Sequence, residues 1–235
     1  HGQQLLELRP EAPDLLKQMA QLGEWNGYHQ EALGYWVRYL GVRTDRDAQE
    51  HAWRLSLQLF DFERGIPLLV SYTARRQLSD VELDALIYAH ESLGTPDEAE
   101  AWLRVYLRQH AGHRKAWLSL LQNLGNTEQY AQQALVWAVF ARHFPLTVNE
   151  RIDWAQVHWR LFDPQRAWDV LNIDTRDIDS AEYWRMRAGL AWDLERDDEL
   201  RFAYENMLAR DIELTFGEES QLINLYLVED PRQSL

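Results

Sequence analysis

The sequence predicts an all-α chain built from repeated helix-turn-helix units, and three observations predict it. A small or apolar residue returns at a nearly constant interval through six short loops. Between the loops, apolar residues fall at i, i+3, i+4 and i+7, the spacing of a helix with one buried face. No run alternates apolar and polar residues between turn signals, so strands are not expected.

The elements follow in order. LLELRPEAPDLL (5–16) reads as the end of one second helix followed by a fresh first helix. The loops NGYHQEAL (26–33), FDFERGI (60–66), LGTPDEAEA (93–101), NTEQYAQQAL (126–135), FDPQRAW (162–168) and ERDDELR (195–201) then each lead into a second helix. Their recurring residues are Ala32, Gly65, Ala99, Ala134, Ala167 and Leu200, at spacings of 33, 34, 35, 33 and 33. A period in this range is the mark of a repeat solenoid. First helices are clearest in DVELDALIYAHESL (80–93) and AEYWRMRAGLAWDL (181–194), and a second helix in PDEAEAWLRVYLRQH (96–110). Ser79-Asp80, Thr147 and Asp179-Ser180 stand ahead of first helices as N-caps, whose side-chain oxygens accept from otherwise orphaned N–H groups. The closing EDPRQSL (229–235) echoes FDPQRAW, where a Pro opens a helix, and a further step of 34 from Leu200 falls inside it on Ser234.

With this period and with Gly27, Tyr28 and Ala32 in NGYHQEALGYW, and Gly94 and Ala99 in LGTPDEA, the chain resembles the tetratricopeptide-repeat family. The small residue lets paired helices approach closely. The individual repeats are degenerate: no unit carries the family's full Trp-x-x-Leu-Gly-x-x-Tyr first helix, and Gly65 and Leu200 stand where Ala is expected. The resemblance implies a right-handed superhelical solenoid whose first helices line the concave surface. Residues 1–235 read as a single array of about six full repeats with partial repeats at both ends. Neither end shows the polar cap a solenoid needs. The chain therefore reads as a fragment of a longer protein, with His1-Gly2 a remnant of cloning and apolar end surfaces that favour dimerisation.

Composition narrows the function. Cysteine is absent, which excludes disulfides and thiolate chemistry and leaves an oxidising compartment open. At 46% hydrophobic the chain is not disordered, and its longest apolar runs are far too short to span a membrane. The net charge of −14 is uneven: residues 163–235 hold 18 acidic against 8 basic residues, and residues 1–162 hold 20 against 16. Phosphate binding needs clustered Lys and Arg, so nucleic acid is not the expected partner, whereas a cationic ligand or basic protein surface fits.

No phosphate loop, nucleophile elbow or His-Glu-x-x-His motif occurs. His110 and His113 have a metal-compatible spacing, but they sit at a helix end where His offsets the helix dipole. No cofactor, metal or catalytic residue is therefore expected. Of the eleven Trp residues, Trp36, Trp102, Trp137 and Trp168 lie on second helices at core-type positions. Trp159, Trp192 and Tyr226 recur at intervals of 33 and 34 near the ends of successive first helices. There they would form an aromatic ladder along one groove, able to stack on sugar rings or peptide side chains. A shift of one residue would make them core instead. Glu182, Asp193 and Glu219 share those first helices, giving an acidic groove with aromatic steps, or alternatively a solvated helix face.

The lack of Cys, the Trp and Arg content and the acidity are similar to the periplasmic repeat regions of bacterial outer-membrane exopolysaccharide exporters. That resemblance implies a periplasmic, non-catalytic scaffold that docks a polysaccharide-modifying enzyme, with no membrane insertion of this segment. Direct binding of a cationic polysaccharide along the acidic groove is the alternative, and a cytoplasmic assembly or co-chaperone protein a further one. Lys occurs only at Lys17 and Lys115, so the carboxylate clamp of co-chaperone repeats, which needs repeated Lys and Asn, is not evident.

Overall fold

The computed structural model describes residues 12–73 and 76–229, the side chains of residues 72, 73, 228 and 229 excepted. Pro10, His1-Gly2 and the EDPRQSL segment beyond Glu229 lie outside the described residues. Every regular element among the described residues is an α-helix. In order they are α1 (Pro13–Trp25), α2 (His29–Val42), α3 (Arg46–Gln58), α4 (Phe62–Thr73), α5 (Asp80–Leu93), α6 (Pro96–Gln109), α7 (Arg114–Asn126), α8 (Tyr130–His143), α9 (Val148–Arg160), α10 (Pro164–Leu171), α11 (Ala181–Asp193), α12 (Asp197–Leu208) and α13 (Phe216–Glu229). They form six hairpins and a seventh first helix, the all-α solenoid of helix-turn-helix repeats that the sequence predicts. Packing groups them into two units, residues 1–123 and 124–235.

The N-caps fall where the sequence places them. Ser79 and Thr147 form capping boxes with Glu82 and Glu150, and Ser180 accepts from the Tyr183 N–H. The hairpin turns share one more device. A single residue at each adopts the left-handed conformation: Gly27, Phe60, Gly94, Glu128, Phe162 and Glu195. The following residue then donates its N–H back to the last turn of the first helix. These bonds run from Tyr28 to Gly23 O, Asp61 to Ser56 O, Thr95 to His90 O, Gln129 to Leu124 O, Asp163 to His158 O and Arg196 to Ala191 O, at 2.8–3.0 Å. This is the Schellman ending of a helix, usually closed by Gly. Four of the six turns use another residue and accept about 1–2 kcal/mol of backbone strain each.

The left-handed residues are spaced 33, 34, 34, 34 and 33 apart, more evenly than the small residues. They correct one assignment. Ala32, Gly65, Ala99, Ala167 and Leu200 each lie five residues after the left-handed position, but Ala134 lies six after Glu128 and is only half-buried. The equivalent residue is Gln133, whose amide lies over Gly125: a Cβ there would meet Gln133 Nε2 at 2.9 Å. An Ala one residue beyond the true position hid this offset in the sequence.

The departures from Ala have a packing reason. Ala32, Gly65, Ala99, Ala167 and Leu200 each have a first-helix counterpart nine positions earlier, and in every pair at least one of the two is small. Gly23 stands against Ala32, where an added Cβ would approach the Ala32 Cβ to 3.0 Å. Gly65 stands against Ser56, whose Oγ occupies the place a Cβ would need. Leu200 is fully accommodated because its counterpart, Ala191, is small; both are buried. His90 and His158 hold the counterpart position to Ala99 and Ala167, and all four are buried. Close-packed helix pairs demand such compensation.

Within the first unit, Leu16, Ala20, Leu33, Trp36 and Leu55 form one buried cluster. In the second, Trp168, Tyr183, Trp184, Leu190, Leu200 and Met207 belong to another. Trp36, Trp137 and Trp168 are core residues of α2, α8 and α10 as expected, while Trp102 of α6 is half-buried and stacks on Tyr106. Helix α10 has only 8 residues, fewer than any other. The chain from 172 to 180 replaces its missing turns and is pinned from outside: Trp184 Nε1 and Arg210 Nε both donate to Ile178 O, at 3.0 and 2.8 Å. The Arg210 guanidinium also lies over the Trp184 ring at 5.0 Å.

Candidate functional site

The six sequence-derived site residues sit on α9, α11 and α13, the first helices of the second unit. Helix α11 presents its outer stripe at Glu182, Arg185, Gly189 and Trp192–Asp193, spaced i, i+3, i+7 and i+10/11, while Tyr183, Trp184 and Leu190 turn into the core. Helices α9 and α11 touch directly. Trp159 crosses from α9 and lays its indole on Gly189, where a Cβ would come within 2.7 Å of Trp159 Cη2. Its Nε1–H donates to Asp193 Oδ2 at 2.6 Å. Trp159 and Asp193 are thus brought together, and the half-buried indole packs against the core of the unit. Gly189 is the residue that sequence reasoning missed here, because its function shows only once its neighbour is known.

Trp192 stays exposed, at 58%, with the exposed Asp193 next to it and the exposed Glu182 nearly three turns earlier on the same helix. Glu182 also reaches across to α9. The Asp153 carboxyl is raised above its ordinary value, first by desolvation and then by repulsion from Glu182 and Glu150. Carboxylates of the two helices, Asp153 on α9 and Glu182 on α11, are thus close enough to repel. Between α11 and α13 the pattern differs: Arg185 Nε donates to Glu218 Oε1 at 3.2 Å and its Nη2 to Glu213 O at 2.9 Å. Glu219, beside that pair, is exposed.

Tyr226 does not continue the ladder. Trp159 and Trp192 each lie 12 residues after their caps Thr147 and Ser180, but Tyr226 lies 11 after Thr215, the cap that accepts from Glu218 N. One residue is about 100° of helix rotation. Tyr226 accordingly donates from Oη to Glu205 Oε1 at 2.8 Å on the second helix α12. The residue in the ladder frame is Leu227, 44% exposed. The near-equal intervals of 33 and 34 hide a change of frame: the caps Thr147 and Ser180 are 33 apart, whereas Ser180 and Thr215 are 35 apart, because α12 is four residues longer than α10.

A second surface of the same kind lies in the first unit and was not singled out from sequence. A groove of about 380 Å³ between the first helices α5 and α7 is lined by Asp84, Tyr88, Glu91, Lys115, Leu118 and Gln122. Lys115 Nζ bridges to Asp84 at 3.0 Å, while Tyr88 is 52% exposed. The i, i+4, i+7 stripe Asp84–Tyr88–Glu91 was legible as a polar-aromatic face. The two histidines weighed as metal ligands have other uses. His113 is buried with both ring nitrogens engaged, Nδ1 with Tyr106 Oη at 2.8 Å and Nε2 with Asp80 Oδ1 at 3.0 Å. The His110 ring packs on Tyr106 with centroids 4.6 Å apart.

The described residues define a helical-repeat architecture of helix hairpins. Residues 139–235 match the model of the tetratricopeptide repeat, and the same helix-hairpin architecture runs through the other described residues. No curated protein matches the sequence. Among solved structures, the Naa15/Naa10 complex bound to HypK-THB contains a chain similar over 98% of this one, with a TM-score of 0.67 and 16% identity. The present chain spans 39% of that relative's length. A MamA point mutant is similar over 72% of this chain and 100% of its own, with a TM-score of 0.50 and 15% identity. At such identities the likeness is one of fold.

Proposed function

We propose that the chain is a non-catalytic docking scaffold in bacterial exopolysaccharide export, resembling the periplasmic repeat region of the outer-membrane exporter of the Pel polysaccharide. In this reading it holds a periplasmic polysaccharide-modifying enzyme close to the export pore. The observation that carries it is Trp192. Its large apolar ring is exposed on α11 next to Asp193, whereas its counterpart Trp159 is engaged in packing. An exposed aromatic on a rigid helix is the usual anchor of a protein interface. Titrating the chain with the purified modifying enzyme should give saturable binding that Trp192→Ala weakens by tenfold or more. Undiminished binding by that variant would move the interface elsewhere, and no binding would remove the scaffold reading.

The approach of Glu182 on α11 to Asp153 on α9 favours a second reading, in which the same face guides a cationic, partly deacetylated amino-sugar polymer. Oligomers of that sugar should then quench Trp fluorescence, and Trp192→Ala should abolish the quenching. Absence of quenching alongside retained enzyme binding leaves the docking reading alone. The proposed compartment is the periplasm. Recovery of the parent protein in the cytosolic fraction would instead make the chain a cytoplasmic assembly scaffold.

A further inference from the structure

The turn between α9 and α10 departs from what folding needs. Its left-handed residue is Phe162, φ 58°, where Gly27 and Gly94 fill the same position without strain. The Phe162 side chain is also 93% exposed, the most exposed of the large apolar residues described. Phe60 holds the equivalent place in the first unit, but its ring rests edge-on against Phe62 with centroids 6.0 Å apart. Beneath Phe162 the turn is rigid. Asp163 Oδ1 accepts from Arg166 N at 3.1 Å, Pro164 fixes the first helical residue, and the largely exposed Arg166 pairs with Asp163 at 3.3 Å. An aromatic held in this way loses little freedom on binding.

The same chain carries a receptor for such a ring. The α1–α2 hairpin has a pocket of about 400 Å³ lined by Met19, Leu22, Asn26, Tyr28, Glu31 and Tyr35. That is ample for a phenyl group, since an apolar cavity of about 150 Å³ already admits benzene. Met19 supplies an adaptable wall. Glu31, exposed at the pocket, is complementary to the Arg166 that accompanies Phe162.

We propose that Phe162 of one copy inserts into the Met19–Leu22–Tyr35 pocket of a second copy, with Arg166 of the first facing Glu31 of the second. The contact is heterologous: knob and pocket are different surfaces, so each copy offers one of each. It requires neither the modifying enzyme nor polysaccharide, and stands or falls separately from the docking function.

Sedimentation equilibrium of the whole chain from about 5 to 500 μM tests it. The wild type should rise above monomer mass with concentration. Phe162→Asp and Leu22→Asp should each weaken association at least tenfold, the effect of losing an interface hot spot. Asp tolerates the left-handed region and Leu22 is 47% exposed, so both variants should fold, which far-UV circular dichroism and thermal melts check. Mixed in equal amounts, the two variants should form a heterodimer that stops at two copies, because one intact knob meets one intact pocket. A monomeric wild type, a Phe162→Asp variant that associates like wild type, or a mixture that stays monomeric would each overturn the proposal.

Discussion

At Gly65 the place of a Cβ is taken by Ser56 Oγ, and that one reciprocity explains why a repeat can abandon its usual Ala. Gly65→Ala should therefore cost about 1–3 kcal/mol as an overpacked site. Adding Ser56→Gly should recover most of it, and a double-mutant cycle in urea would show the coupling. Additive losses would mean the two residues do not share the space. Strain at the turns makes the opposite prediction: Glu195→Gly should raise stability by about 0.5–1 kcal/mol, read as a higher urea midpoint. Much of this level was not legible in sequence. The alternation of Gly, Phe and Glu at the left-handed position conceals a constant backbone shape behind changing side chains, and Gln133 was masked by its neighbour Ala134.

Proton binding also acts residue by residue. Burial holds His90 and His158 below the ordinary histidine value. Above about pH 6.5 both folded and unfolded chains carry them neutral. As pH falls below that, the unfolded chain takes up protons that the folded chain refuses, so stability drops. At lower pH, Asp45 and Glu82 add to the loss. The bond from Lys17 holds Asp45, and those from Arg76 hold Glu82, each at about 2. Their stabilisation is present above the ordinary carboxylate range and is lost as pH falls toward 2. Asp153, raised, works the other way and loses stability as pH rises past the ordinary carboxylate value, but it is one group against four, so urea midpoints should rise from pH 3 to 7. His90→Gln with His158→Gln should flatten the portion between pH 5 and 7; an unchanged slope there would assign it to other groups.

At the scale of elements, the helices and their caps were readable from period and chemistry, because Ser79, Thr147 and Ser180 act locally. Positions that depend on tertiary neighbours were not. Trp159 and Trp192 look alike in sequence, yet Gly189 draws the first into packing and leaves the second exposed. Trp159→Ala should thus lower stability by roughly 2 kcal/mol, while Trp192→Ala stays within about 0.5 kcal/mol of wild type. Equal losses would refute the division of labour between them. Tyr226 shows the limit of counting along a chain: the longer α12 moves the next cap to 35 residues after Ser180, so a step of 34 lands one residue off the stripe. The short α10 carries a comparable lesson. Its replacement segment depends on Arg210, so Arg210→Ala should speed amide exchange over residues 173–180 without changing exchange in α9.

For the molecule as a whole, the docking proposal rests on where charge and repeats coincide. The excess of carboxylates in residues 163–235 lies on the same part of the chain as the tetratricopeptide match and the exposed face of α11. The central claim is that this face, the first-helix side of the second unit, is where the partner docks. Hydrogen exchange of the chain with and without the purified polysaccharide-modifying enzyme tests it most directly. The account predicts slowed exchange in peptides covering Asp153–Arg160 and Glu182–Asp193 that is lost with Trp192→Ala. Protection confined to the second helices, with these peptides unchanged, would contradict it.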